Sequence, residues 1–355
     1  MPIRPWEGVP YLPTLLLRPA EMRALEELPD QTKDAMLPMI PLRPWLGANL
    51  LRNSHDRIAL SYGERPVIVG VGEPEPPKDR PVFGELDDLR SPEGGYDNWC
   101  GYVDDHPWII PVAHLGRDVA EEALQIERLH RLDRGLVVVV ERDTFGALHL
   151  IAERVAARTE GGRDVCFILD FCRAGRDHLQ VAAVTAGYIR TVRARCPHAF
   201  ISISASSFPS SFDGLRQQEI YERLLFNEVA GNLGQAGLIY GDRGSARAEA
   251  LSGGSGVIPA RIDYPGFDDW FFYRSTSTGL DGYVEQAEIL MNEDRWDRDL
   301  RIWGTQMIER TARRDPAAID TPGKATATRI NLHLQLQTFY GRPTDQQSTE
   351  DDWND

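Results

Sequence analysis

The chain has 355 residues, a formal net charge of −15, 42% hydrophobic residues and 26% charged residues. That balance supplies a buried core and excludes a general duplex-coating protein, because phosphate binding is driven by clustered Lys and Arg. No apolar run reaches the roughly 18 residues of a membrane helix. Short apolar runs then follow one another along the chain: "YLPTLLL" from Tyr11, "MLPMIPL" from Met36, "VIVGV" from Val67, "WIIPVAHL" from Trp108, "LVVVV" from Leu136, "VCFIL" from Val165, "AFISISA" from Ala199 and "GLIY" from Gly237. Amphipathic stretches lie between them, among them "PAEMRALEEL", "GANLLRNSHDRIALSYG", "DVAEEALQIERLHRL", "FGALHLIAERVAART", "DHLQVAAVTAGYIRTVRAR" and "LRQQEIYERLLFNEVAG". Strand-like runs alternating with helical periodicity predict a parallel sheet covered by helices.

Eight such units predict an α/β fold of the TIM-type (β/α)8 barrel class, with an open doubly wound α/β sheet as the alternative. "LLLRP" at 15–19 and "PLRPW" at 41–45 form a weak internal echo, each an Arg-Pro step after a strand. Residues 72–105 are rich in Pro, Gly and charge and read as an insertion at the rim. "VIPARIDYPGFDDWFFYR", 257–274, reads as a hairpin around "YPGFDD". Three helical stretches follow, "LDGYVEQAEILMN", "RIWGTQMIERTARR" and "ATATRINLHLQLQTFYG". Residues 1–341 are thus expected to form one domain, and the acidic, polar residues 342–355 a disordered tail. Cys100, Cys166, Cys172 and Cys196 lack CxxC spacing and suit reduced thiols, with Cys166 and Cys196 in the core. The Pro-rich start lacks the form of a secretory signal, so a cytoplasmic protein with no membrane attachment is expected.

In a barrel the chemistry sits where strands end. Those positions hold Arg18, Arg43, Glu73, His114, Glu141, Arg142, Asp143, Asp170, Arg173, Ser204, Ser206, Ser207, Asp242 and Arg243. Glu141 and Asp170 end neighbouring strands, as an acid–base or metal-binding pair, or as caps and partners of the arginines. His114 is the histidine placed for proton transfer. Arg18, Arg43, Ser206, Ser207, Asp242 and Arg243 are the candidate ligand-binding set. After the eighth run, "GDRGSARAE" has the form of a Gly-rich phosphate cradle with Ser245 capping a helix; the same residues also make an ordinary turn. There is no Walker motif, HExxH, GxSxG or metal-spaced Cys/His set, so the cofactor is unknown, with a divalent metal conceivable.

Taken in order, "YLPTLLLRPAEMRALEELP", "SASSFP", "YGDRG", "ARIDYPGFDDWFFYR" and "TRINLHL" resemble the beta protein family of bacteria and phages. The resemblance implies a barrel and a phage, mobile-element or defence setting, with no established reaction. It implies a Lys after the first strand, where this chain has Arg18. It draws attention to Asp242, Arg243, Trp270, Arg274, Asn331 and His333, with helix-to-barrel hydrogen bonding the plainer role for Asn331 and His333.

Two functions follow as expectations. One is a barrel that binds, with hydrolysis as a further option, a phosphate-bearing small molecule or nucleic-acid end. The other is a non-catalytic protein–protein interaction module, with Trp99, Trp270, Phe271, Phe272 and Arg274 as anchors. The sequence sets neither substrate nor oligomeric state.

Overall fold

The computed structural model describes residues 6–76, 79–116, 118–248 and 259–346. Its strands are β1 (Tyr11–Pro13), β2 (Val67–Val69), β3 (Ile109–Pro111), β4 (Leu136–Glu141), β5 (Val165–Arg173), β6 (Phe200–Ser206), β7 (Gln217–Glu219), β8 (Leu238–Asp242), β9 (Arg261–Pro265) and β10 (Asp269–Arg274). Its helices are α1 (Pro19–Glu26), α2 (Asp30–Ala35), α3 (Arg52–Tyr62), α4 (Pro81–Arg90), α5 (Glu93–Asp105), α6 (Val119–His130), α7 (Leu148–Ala156), α8 (His178–Arg193), α9 (Tyr221–Leu233), α10 (Gly279–Met291), α11 (Trp303–Ala312) and α12 (Pro322–Thr338). A helical turn at Pro343–Gln346 follows, and the rest of the acidic tail lies outside the described residues.

The fold is mixed α/β around a parallel five-stranded sheet in the order β1-β8-β6-β5-β4, beside a parallel pair, β2-β3. Isolated parallel bridges join Thr14 to Met39, Met39 to Ile68, Leu42 to Val71 and Val112 to Val137. The run from Met36 is hydrogen-bonded on both sides, to β1 through Leu37 N–H to the Tyr11 carbonyl and Met39 N–H to the Pro13 carbonyl, and to β2 and the residues after it through Ile40 N–H to the Ile68 carbonyl and Leu42 N–H to the Gly70 carbonyl, with a donor missing at each of its two prolines. Pro38 and Pro41 lack the N–H that a ladder requires, and Pro13 and Pro111 sit at the ends of β1 and β3 for the same reason.

Side chains alternate across each strand, so every strand feeds two clusters. Leu12, Met39, Ile68, Ile110, Val137 and Ile168 meet in one, with Cys166 and Ile239. Tyr11, Val67, Ile109, Val138, Phe167 and Tyr240 face the helices in the other, with Cys196. The four cysteines carry free thiols, and both expected core cysteines are buried.

The stretch 72–105 contains α4 and α5 rather than an irregular insertion. Val82, Leu86 and Leu89, then Trp99 and Val103, supply the helical spacing that buries them. Gly94, Gly95 and Tyr96, all with left-handed backbones, kink the start of α5. The stretch beginning "LRQQE", read above as helix, instead starts with β7, which joins β10 and β9 in an antiparallel sheet ordered β7-β10-β9. The hairpin is present within 261–274; residues 257 and 258 lie outside the described residues.

Helix α12 is buried on all sides from Ala327 to Thr338, although polar residues alternate along it. Buried polar groups must be hydrogen-bonded, and these tie the helix to its surroundings. Arg329 Nη1 donates to Asp263 at 2.9 Å, Asn331 Nδ2 to the Ala24 carbonyl at 3.0 Å and Arg223 Nε to Gln337 Oε1 at 2.8 Å. Asn331 Oδ1 also accepts from the Gly304 amide at 2.9 Å. Ile330 and Leu334 enter the large helix-facing cluster, while Leu332 and Leu336 enter a cluster with α10, α11 and β9.

Candidate functional site

The alternation that fills the inner cluster carries on past the strand ends. Counting by twos from Met39, Ile110, Val137, Ile168 and Ile239 leads to Arg43, His114, Glu141, Asp170 and Arg243. All five line one open cavity of about 600 Å³ at the C-terminal ends of the strands. Glu73, Glu75, Asp143, Thr14 and Thr144 complete its polar wall. Glu75 was not singled out from the sequence; its place two residues after Glu73 in an extended "GEPEP" is the available signal.

The cavity is acidic, with Glu73, Glu75, Glu141, Asp143 and Asp170 against Arg43 and Arg243. Arg43 Nη2 bonds Glu75 Oε1 at 2.5 Å, and Arg243 Nη2 bonds Asp170 Oδ2 at 2.6 Å. The other Asp170 oxygen accepts from the Cys172 amide at 2.8 Å. Asp170 and Glu141 are register partners on β5 and β4, so their backbones stand about 5 Å apart. Glu141 is open to the cavity, and partial burial, then the charges of Glu73, Asp170 and Asp143, raise its pKa against the pull of Arg243. One carboxylate is pinned by a guanidinium and its neighbour is biased toward the protonated form, which is the arrangement that divides acid and base roles.

His114 lies with its ring 4.9 Å from Tyr96, nearly parallel, and meets Trp99 edge-on at 5.7 Å. Burial, helped by Arg90, lowers its pKa to about 4, so the imidazole is neutral near pH 7. Its Nε2 is buried without a partner, as is Arg243 Nε. Among the described residues no group of three or more His, Cys, Asp or Glu is arranged to hold a metal.

The other expected ligand groups are placed elsewhere. Because Arg243 points into the cavity, its neighbour Asp242 points to the helices and is fully buried. There it accepts from Tyr11 at 2.6 Å, Tyr240 at 3.0 Å, the Gly244 amide at 2.7 Å and His333 Nε2 at 2.7 Å. Asp242 itself occupies the turn that was expected to hold an anion. Gly244 (φ 54) is required, since a Cβ there would meet Leu15 at 2.3 Å. Ser245 caps no helix among the described residues; its hydroxyl accepts from Arg329 Nε at 3.2 Å. "GDRG" is thus a structural turn that aims one arginine. Ser206 Oγ donates to the Ala246 carbonyl at 2.5 Å, and Ser207 Oγ accepts from the Tyr221 amide at 3.2 Å, so both hydroxyls serve local structure. Arg18 is exposed ahead of α1 and is not among the residues lining the cavity.

The interaction anchors also need correction. Trp99 and Trp270 are fully buried and Phe272 nearly so, which withdraws them from any surface. Trp99 Nε1 donates to the Val112 carbonyl at 3.1 Å, and Trp270 stacks on His333 at 4.7 Å. Phe271 is half-buried beneath Arg295, and Arg274 is exposed but donates to the Phe212 carbonyl.

Behind this layer, Glu222 is buried with Oε2 unpartnered, and burial raises its pKa to about 7. The folded chain therefore retains a proton that the unfolded chain releases between about pH 4.5 and 7. Stability is full below that window and declines as pH rises through it, by on the order of 3 kcal/mol at most. Glu222→Gln is expected to be more stable than the parent at pH 8 and indistinguishable at pH 4.5, as read by urea denaturation at both pH values. Equal differences at both would show that Glu222 is ionised throughout.

No helix among the described residues is long and apolar enough to cross a membrane. A family model described as Beta protein matches residues 11–339. Protein beta of Enterobacteria phage P4 is 28% identical over 342 residues, which span 94% of each chain.

Proposed function

This chain belongs to the Beta protein family, and we propose that its cavity binds and hydrolyses a phosphorylated polar small molecule in a cytoplasmic phage or mobile-element setting. The observation that carries this reading is the convergence of Arg43, Arg243, His114 and Glu141 on one cavity, with Arg243 Nε and His114 Nε2 unpartnered. A guanidinium pinned by Asp170 through Nη2 keeps the rest of its N–H groups for a ligand oxyanion in the cavity it lines. The carboxylates of the wall accept hydroxyl or amino groups of the same ligand. As a solvent water attacks phosphorus and the bond to the leaving oxygen breaks, Glu141, biased toward its protonated form, gives its proton to that oxygen, and the carboxylate so formed takes the proton of the attacking water. His114, neutral, orients the ligand as a hydrogen-bonding group, and Asp170 positions Arg243.

The site stands at the C-terminal strand ends because we read the fold as a closed (β/α)8 barrel over one domain, 1–341. The parallel bridges support closure: they link β1 through Met39 to β2, and β3 to β4, while β1 also pairs with β8. An open doubly wound sheet would leave β1 or its neighbour as an edge. The setting comes from the phage origin of the relative.

Titration calorimetry with sugar phosphates and nucleotides tests the reading. Parent protein is expected to bind a member of that panel, and Arg243→Ala to bind it at least tenfold more weakly, as loss of a charge-assisted contact implies. Undiminished binding by the variant would sink the assignment.

A further inference from the structure

A second cavity, of about 190 Å³, opens between the C-terminal end of β5 and helices α8 and α9. Arg142, Phe171, Arg173, Asp177, His178 and Leu225 are among its walls. β5 is irregular between Asp170 and Arg173, with Cys172 in a left-handed backbone (φ 61), and Arg173 lines this cavity beside Phe171 rather than the strand-end cavity where Asp170 lies.

The charges here are unlike those around most arginines of this chain. Arg154 is held by Glu122 and Arg243 by Asp170. Arg142 and Arg173 have no ion-pair or hydrogen-bond partner for their side chains among the described residues. His178, stacked on Tyr221 at 5.7 Å, presents a buried Nδ1 with no partner. Asp177 opposes them with one carboxylate, which does not cap α8. Two permanent cations thus line a space walled on its other sides by Phe171, His178 and Leu225. Guanidinium groups match oxyanions with several acceptor oxygens, and a phosphate dianion can engage two of them at once.

We propose that this cavity is a phosphate-binding site, separate from the cavity at the strand ends, in which Arg142 and Arg173 grip the anion. The group bound is a phosphate dianion, either free or as the end of a small monoester.

Calorimetric titration of the full chain with inorganic phosphate and with phenyl phosphate tests it. Both arginines are exposed, so the double variant Arg142→Ala/Arg173→Ala retains the fold, which a thermal melt confirms. Parent protein is expected to bind inorganic phosphate, and the double variant to bind it at least tenfold more weakly. Arg43→Ala/Arg243→Ala is expected to keep this phosphate binding, which separates the site from the strand-end cavity. Tighter binding of phenyl phosphate assigns the site to a monoester, and equal or weaker binding to the free ion. Absence of millimolar phosphate binding in the parent, or unchanged binding in Arg142→Ala/Arg173→Ala, overturns the proposal. Loss confined to the Arg43/Arg243 variant also overturns it, while leaving the strand-end reading intact.

Discussion

Asp242→Ala is expected to destabilise the protein by about 3–5 kcal/mol, the upper range for breaking a buried hydrogen-bond network. Four groups converge on this carboxylate: the Tyr11 and Tyr240 hydroxyls, the Gly244 amide and His333 Nε2. Removing it strands all four in a region that water does not enter, and each buried unsatisfied donor adds its own penalty. Nearby, Arg223 lies over the Tyr240 ring at 3.3 Å and the Tyr340 ring at 4.0 Å, so the node joins β1, β8, α9 and α12. Burial pushes the Asp242 pKa up, but His333, Tyr11 and the Gly244 amide together outweigh it and hold the carboxyl below its ordinary range. A depressed folded pKa contributes stability above the unfolded value and loses it as pH falls through the folded one, so the parent is expected to weaken on acidification below about pH 4. Urea denaturation of parent and variant at pH 7 measures the effect. A difference under about 1 kcal/mol would mean the node is not a clamp.

Glu141→Gln is expected to lower hydrolysis by 10²–10⁴-fold, the usual contribution of a positioned acid, while leaving ligand affinity nearly unchanged. Glutamine keeps the shape and the cavity wall but has no proton to give. In the parent, turnover should fall as pH rises past the elevated pKa of Glu141, and that limb should vanish in the variant. Phosphate release followed by ³¹P NMR against the ligand found by calorimetry reads both effects. Full activity in Glu141→Gln would remove the acid role and leave a binding cavity.

Much of this arrangement was legible in the sequence. The β-branched runs from Val67, Leu136 and Val165 mark strands because they are buried on both faces, and Glu141, Asp170 and Arg243 stand two or four residues beyond inner-cluster positions. The same period separates Asp242 from Arg243, yet only knowledge of which face of "GLIY" turns inward assigns them. Both Tyr240 and Ile239 are apolar enough for either side, so the motif reading merged two residues with opposite destinations. Pro38 and Pro41 each remove one donor from the second run, yet it pairs with both neighbours, and Pro, Gly and charge in 72–105 masked the apolar spacing of α4 and α5. Tryptophans 99 and 270 looked like anchors because large aromatics suit interfaces and cores alike; burial separates the two roles and composition does not.

The most direct test is a crystal structure of the Glu141→Gln protein with the phosphorylated ligand that binds tightest by calorimetry. The expected result places its phosphoryl group within hydrogen-bonding distance of the Arg243 guanidinium, with the leaving oxygen facing residue 141. A ligand bound elsewhere, with Arg243 and His114 untouched, would contradict the assignment of this cavity as the functional site.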